Sequence, residues 1–275
     1  MGISQINLDN VEIRLAQDET DIKAAQRLRY RVFYEEYDAI PDAEMTRQRR
    51  DIDQFDAVAD HLIVIDNNIA DPEDRIVGTY RLLRHETARR HGRFYTSDEY
   101  NIDALLDNGE NLLELGRSCV LADYRTRPVL QLLWDGIVNF MTTHEIETLF
   151  GCASFHTTDV SAISHQLAYL YHHHLAKPSH RVKALESRYV DMNMHRQEEL
   201  NPKIHFMALP PLIKGYLRVG CSVGDGAVID EQFGTTDVCI ILPLKEASQR
   251  YKNHYDRKMR LSSEAAARQA KDPVG

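Results

Sequence analysis

Two charged residues, Glu114 and Arg117, sit inside the apolar stretch LLELGRSCV (112–120), which has the look of a buried β-strand. A carboxylate there can move protons, and a guanidinium can grip another carboxylate through two parallel hydrogen bonds. Both are expensive to take out of water unless each finds a partner. Simple alternation along a strand puts positions 114 and 117 on opposite faces. If both serve one pocket, a bulge near Gly116 must reset the alternation. The competing reading is structural, with the two residues paired to each other or to Arg81 and Asp53.

A second cluster lies upstream, where Asp51, Asp53 and Asp56 place three carboxylates within six residues. Like charges this close need a cation among them. The spacing lacks the glycine and distal glutamate of a calcium loop, so no metal is expected there. Arginines, a substrate ammonium or plain solvation remain as explanations. His172, His173 and His174 follow one another on a predicted helix, point about 100° apart and do not converge on an ion. Cys119 has no histidine spaced to activate it and reads as a packed thiol.

The elements that must carry these residues follow from periodicity. Alternating or apolar runs predict strands at 11–16, 61–66, 76–84, 112–120, 148–155, 227–234 and 237–244. Helical spacing marks 18–37, 127–144 (with Pro128 in its first turn) and 159–174 (with Asp159 as N-cap). The stretch 38–60 reads as a polar loop, 212–220 as a helix or turn, and 175–209 gives no assignment. This order predicts an α/β fold, a mixed sheet flanked by helices. The expected organisation is one domain over 1–244 and a basic helical or flexible tail over 245–275. From Lys245 to Lys271 that tail holds eight basic and three acidic residues.

The chain of 275 residues has a net charge of −9, which argues against general nucleic-acid binding. No apolar run is long enough for a transmembrane helix, and the N-terminus lacks the basic and apolar regions of a secretory signal. Cys119, Cys152, Cys221 and Cys239 show no CxxC spacing and are expected as reduced thiols in a cytoplasmic protein.

Several segments together resemble the GNAT acyltransferase superfamily, and within it the acyl-homoserine-lactone synthases. LRYRVFYEE (28–36), DIDQFD (51–56), VGTYRLLR (77–84) and LELGRSCV (113–120) occur in the order and rough spacing of those enzymes. Past residue 120, DYRTRPVLQLLWDGI, LFGCASF and the run 209–244 look like the L-ornithine N-alpha-acyltransferases of bacterial ornithine-lipid synthesis, a resemblance that spans nearly the whole chain to Leu244. Asp51 stands where the lactone synthases usually have Glu, and Gly116 where they have Ser, which favours an amino-acid acceptor.

The resemblance implies a GNAT-like fold and transfer of a (3-hydroxy)fatty acyl chain to the α-amine of ornithine, giving a lyso-ornithine lipid. No bound cofactor is implied; the acyl donor is a phosphopantetheine thioester on acyl carrier protein. In this reading Glu114 is the general base and Arg117 binds the acceptor carboxylate. Arg31, Phe33, Asp51, Asp53, Asp56, Arg81, Gly116 and Ser118 contact substrate, with Gly116 allowing close approach. GNAT proteins that use acetyl-CoA usually carry a glycine-rich pyrophosphate loop, for which this chain has DYRTRPVLQ (123–131). Arg125, Arg127 and a helix N-terminus could take the single phosphate of pantetheine. An acidic carrier would dock on neighbouring arginines, and the tail's Lys252, Arg257, Lys258 and Arg260 could rest on anionic lipid at the inner membrane. The rival readings are an acyl-homoserine-lactone synthase, an acyltransferase for another amino acid, and a non-catalytic carrier-binding module.

Overall fold

In a computed structural model, residues 10–247 are described. The first strand β1 (Val11–Leu15) leads into α1 (Glu19–Tyr30), which Asp18 caps by accepting from the N–H groups of Thr20 and Asp21. The predicted helix 18–37 is two pieces, because a π-helical turn over Arg31–Glu36 continues α1. The expected loop 38–60 holds a short helix, α2 (Ala43–Gln48). Strands β2 (Asp60–Asp66) and β3 (Ile76–Arg84) follow, then α3 (His85–His91), a 3-10 turn at Tyr95–Asp98, β4 (Tyr100–Asn101) and α4 (Asp103–Leu106). The charged strand is β5 (Leu112–Val120), succeeded by α5 (Arg127–Thr143), β6 (Thr148–Phe155) and α6 (Ser164–His174).

The unassigned stretch 175–209 contains β7 (Lys183–Ala184), β8 (Tyr189–Val190) and α7 (Pro202–Ala208). The chain then forms α8 (Pro211–Val219), β9 (Ser222–Val223), β10 (Ala227–Asp230) and β11 (Thr235–Pro243). Sheet order is β1-β2-β3-β5-β6-β11-β10-β8, with β9 against β11; β4 and β7 pair separately. All pairings in the large sheet are antiparallel except β5–β6.

Alternation decides which face each strand residue serves. Ile63 and Ile65 pack with Ala24, Ala25 and Leu28 of α1, whereas Leu62 and Val64 join Val129, Leu133 and Ile137 of α5 on the other face. Burying such side chains contributes about 2 kcal/mol each, so the two-faced pattern of β2 fixes its register firmly. Two local irregularities break the sheet where the charged strand runs. First, Arg81 pairs with Gly116 but Thr79 pairs with Cys119, so β5 carries one extra residue, and Arg117 there adopts a left-handed backbone with φ of 48°. The expected bulge is present, and its left-handed residue is Arg117, one position past Gly116. Second, β5 and β6 pair only from Leu112 to Glu114 and then diverge. A gap opens in the middle of the sheet.

Candidate active site

The bulge puts Glu114 and Arg117 on one face. Beyond it the alternation is reset, so Cys119 packs with α1 while Val120 joins the core beneath α5. Glu114 is buried, and its two carboxylate oxygens accept the backbone N–H groups of Tyr95 at 2.9 Å and Thr96 at 2.6 Å. Burial raises its pKa despite those bonds. The carboxylate thus seats the Tyr95–Asp98 turn.

Arg117 belongs to a network of arginines and aspartates. Its Nη2 donates to Asp53 Oδ2 at 3.0 Å, and its Nε lies 3.2 Å from Asp51 Oδ2. Arg81 pairs with Asp53 at 2.5 Å and Asp56 at 3.2 Å. Arg29, fully buried on α1, holds Asp51 and Asp56, each at 2.7 Å. Three arginines therefore neutralise the acidic loop, which answers the question its spacing raised. Burial works against ionisation here, but Arg81 and Arg117 hold the Asp53 carboxyl below its usual range, and Arg29 does the same for Asp56. The guanidinium of Arg117 also lies 4.9 Å from the ring centroids of both Tyr95 and Phe233. Arg29 was absent from the sequence-derived candidates because a helix arginine ordinarily faces solvent.

In front of Arg117 lies a cavity of about 890 Å³. Asp53, Asp98, Glu99, Asp230 and Glu231 line it alongside Arg117 and Arg188, so acidic side chains outnumber basic ones in its walls. Glu99, only 2% exposed, was not predicted as a site residue. It accepts a hydrogen bond from Cys152 Sγ at 3.2 Å, and burial together with the Asp237 charge pushes its pKa up to about 7. On the opposite face of the sheet a narrow apolar slot of only about 10 Å³ is lined by Leu115, Trp134, Leu149, Cys152, Tyr216 and Ile240, among others. Cys152 thus lines the slot and, through its bond to Glu99, connects it to a residue of the acidic cavity, near the place where β5 and β6 part.

The other expected residues fall in different positions. Gly116 has open space where a side chain would be, next to the gap. Ser118 faces Tyr80, beneath the sheet. Phe33 packs edge-on against Phe233 and so reaches the site through that ring, while Arg31 points outward to Asp74 at 3.4 Å. Arg125 pairs with Glu36 and donates to the Val120 carbonyl at 2.9 Å. Arg127 is exposed at the start of α5. The three consecutive histidines diverge: His172 contacts the His195 carbonyl, His173 lies beside the Tyr169 ring, and His174 reaches the Tyr169 hydroxyl. All four cysteines are free, and burial pushes the Cys119 thiol up to about 12. The tail residues Lys252, Arg257, Lys258 and Arg260 lie outside the described residues.

Residues 28–135 match the family model described as acetyltransferase (GNAT) domain. A curated L-ornithine N(alpha)-acyltransferase of Brucella abortus is 45% identical over 251 residues, covering 90% of this chain and 89% of the relative. One from Rhizobium meliloti is 47% identical over 249 residues, covering 90% and 84%. One from Rhodobacter capsulatus is 43% identical, covering 90% and 95%. Among solved structures, a CoA-dependent acyl-homoserine lactone synthase, BjaI, superposes with a TM-score of 0.48 at 13% identity over 90% of this chain and 89% of that one. The N-acyl amino acid synthase FeeM from uncultured soil microbes gives 0.46 at 9% identity, over 86% and 93%.

Proposed function

Because the chain belongs to the L-ornithine Nα-acyltransferases, enzymes built on the GNAT fold, we propose that it passes a 3-hydroxyacyl chain from acyl carrier protein to the α-amine of ornithine. The observation that carries this reading is a cavity rich in acidic side chains on one face of the sheet and a narrow apolar slot on the other, linked by the Cys152–Glu99 hydrogen bond near where β5 and β6 diverge. The apolar lining suits a fatty chain once Trp134 and Tyr216 part to admit it, and a pocket with more acidic than basic side chains suits a diamino acid, which brings two ammonium groups and one carboxylate. The thioester carbonyl then lies in the gap, beside strand N–H groups that no longer pair across to a neighbour.

Each residue has a definite part in this scheme. Arg117, held between two rings and tied to Asp51, Asp53 and, through a longer 3.3 Å bond from Nη1, the Tyr95 hydroxyl, turns its Nη1 to the acceptor carboxylate. Asp51, Asp56, Arg29 and Arg81 hold it there. Glu114 fixes the turn that brings Tyr95 and Glu99 to the cavity. Phe33 braces Phe233. On the donor side, Arg127 and the free N–H groups at the start of α5 take the pantetheine phosphate. Arg125 is engaged by Glu36 and braces the end of β5 through the Val120 carbonyl. Among the described residues no helix is long and apolar enough to cross a membrane.

The test is incubation of the full chain with a 3-hydroxyacyl carrier thioester and ornithine, with mass spectrometry of the product. Acylation at the α-nitrogen is expected. Turnover only with S-adenosylmethionine, or none with any amine, would overturn the reading.

A further inference from the structure

We propose that Glu99 is the general base that takes the proton from the acceptor's α-ammonium, with Asp230 and Asp237 as the neighbouring charges that keep it basic. This rests on the reading above and adds a residue to it. Position comes first: Glu99 lines the acidic cavity, while the thiol bonded to its Oε2 belongs to Cys152, which lines the apolar slot. The carboxylate therefore sits where amine and thioester must meet. Glu114, whose oxygens both accept backbone N–H groups, has no such access.

The surroundings supply the second argument. Glu99, Asp230 and Asp237 bring carboxylate oxygens within 4.8 Å of one another, and none of the three forms an ion pair among the described residues. Asp237 is 7% exposed, and its Oδ1 is sealed from water with no hydrogen-bond partner. Around Glu99 stand Cys152 from β6, Asp237 from β11, Asp230 from β10, and Tyr95 and Tyr100 from its own segment. Arg188 is the nearby cation, and its guanidinium donates to the carbonyls of Asp98 and Ile229. A buried anionic cluster left short of positive charge attracts a proton or an ammonium.

The step balances without a further reactant. One proton passes from the α-ammonium to Glu99. The freed nitrogen lone pair forms the C–N bond, the carbon–sulfur bond breaks, and a second N–H proton is lost to solvent as the amide forms. The thiolate of the carrier arm leaves and is protonated by Glu99.

The experiment compares wild type, Glu99→Gln and Asp237→Asn, with carrier thioester and ornithine, from pH 5.5 to 9.5. Wild type establishes turnover, so its failure counts against the function and not against Glu99. For Glu99→Gln, kcat should fall by about a hundredfold or more at pH 7 with KM for ornithine nearly unchanged, and recover as pH rises and the amine ionises unaided. Asp237→Asn should move the acid limb of kcat/KM to lower pH by about one unit while keeping most of the alkaline rate. A purely structural Glu99 predicts loss at every pH in parallel, with a lowered melting temperature, which would overturn the proposal. So would a rise in KM at constant kcat, marking an ammonium contact only, or wild-type loss with EDTA restored by Mg²⁺, marking a metal site.

Discussion

Gly151 on β6 lies against the carbonyl of Leu115 on β5: a Cβ on Gly151 would sit 2.1 Å from the Leu115 oxygen, and the glycine has φ of 154°. This is where the two strands stop pairing. No side chain fits, because the obstacle is backbone and cannot swing aside.

Gly151→Ala should therefore force β5 and β6 apart at the reaction centre. A loss of about 2 kcal/mol of stability is expected from urea unfolding, with a fall in kcat larger than the stability change explains. Gly116→Ala offers the contrast, since its Cβ would meet open space, and it should fold normally.

Arg117 answers to both stability and substrate. Arg117→Ala strips a cation from Asp51 and Asp53, and the uncompensated buried charge should cost about 3 kcal/mol in denaturant titration. Arg117→Lys keeps the charge but not the flat, bidentate fork. It should fold close to normally and raise KM for ornithine roughly tenfold by steady-state kinetics.

Stability should fall as pH rises from 5 to 8. Glu99 and Asp237 have folded-state pKa values of about 7 and about 6, above those of unfolded carboxyls. Their contribution is thus fully present below about pH 4 and lost as pH climbs through 6 and 7. Asp53 and Asp56 act oppositely, because their depressed values give stability that is present above about pH 4 and lost in stronger acid. Melting curves from pH 3 to 9 should show a maximum near pH 5, and Glu99→Gln should flatten the decline above it.

Trp134 and Tyr216 help to line the apolar slot and meet edge to face at 5.8 Å between ring centroids. Trp134→Ala should lengthen the slot and shift product profiles toward longer acyl chains in mass spectrometry, each buried methylene adding about 0.8 kcal/mol of binding.

Donor recognition is open to a salt test. Arg127→Glu reverses an exposed charge at the start of α5, so kcat/KM for acyl carrier protein should drop about tenfold and lose much of its ionic-strength dependence. KM for ornithine should stay put.

The strands and α5 were legible because apolar periodicity is local. The bulge was legible for a different reason: charges three apart on one strand cannot share a pocket without an inserted residue. Glu99 was not. It falls in the 85–111 stretch, where four short elements follow one another with no sustained period. Its partners Asp230 and Asp237 lie more than a hundred residues downstream, joined to it only by the folding of β10 and β11. The π-helical turn escaped for a subtler reason, since RVFYEE satisfies helical spacing whether its hydrogen bonds join residues four or five apart. Arg29 likewise looks like any surface arginine until the acidic loop wraps over it.

The extra residue in β5 has a consequence for what engineering this segment can tolerate. Gly116 has room for a small side chain, but the length of the strand allows no change. Deleting a single amino acid between Gly116 and Cys119 would turn every later side chain over, sending Cys119 beneath α5 and Val120 toward α1, so the site would lose its frame before it lost any functional group.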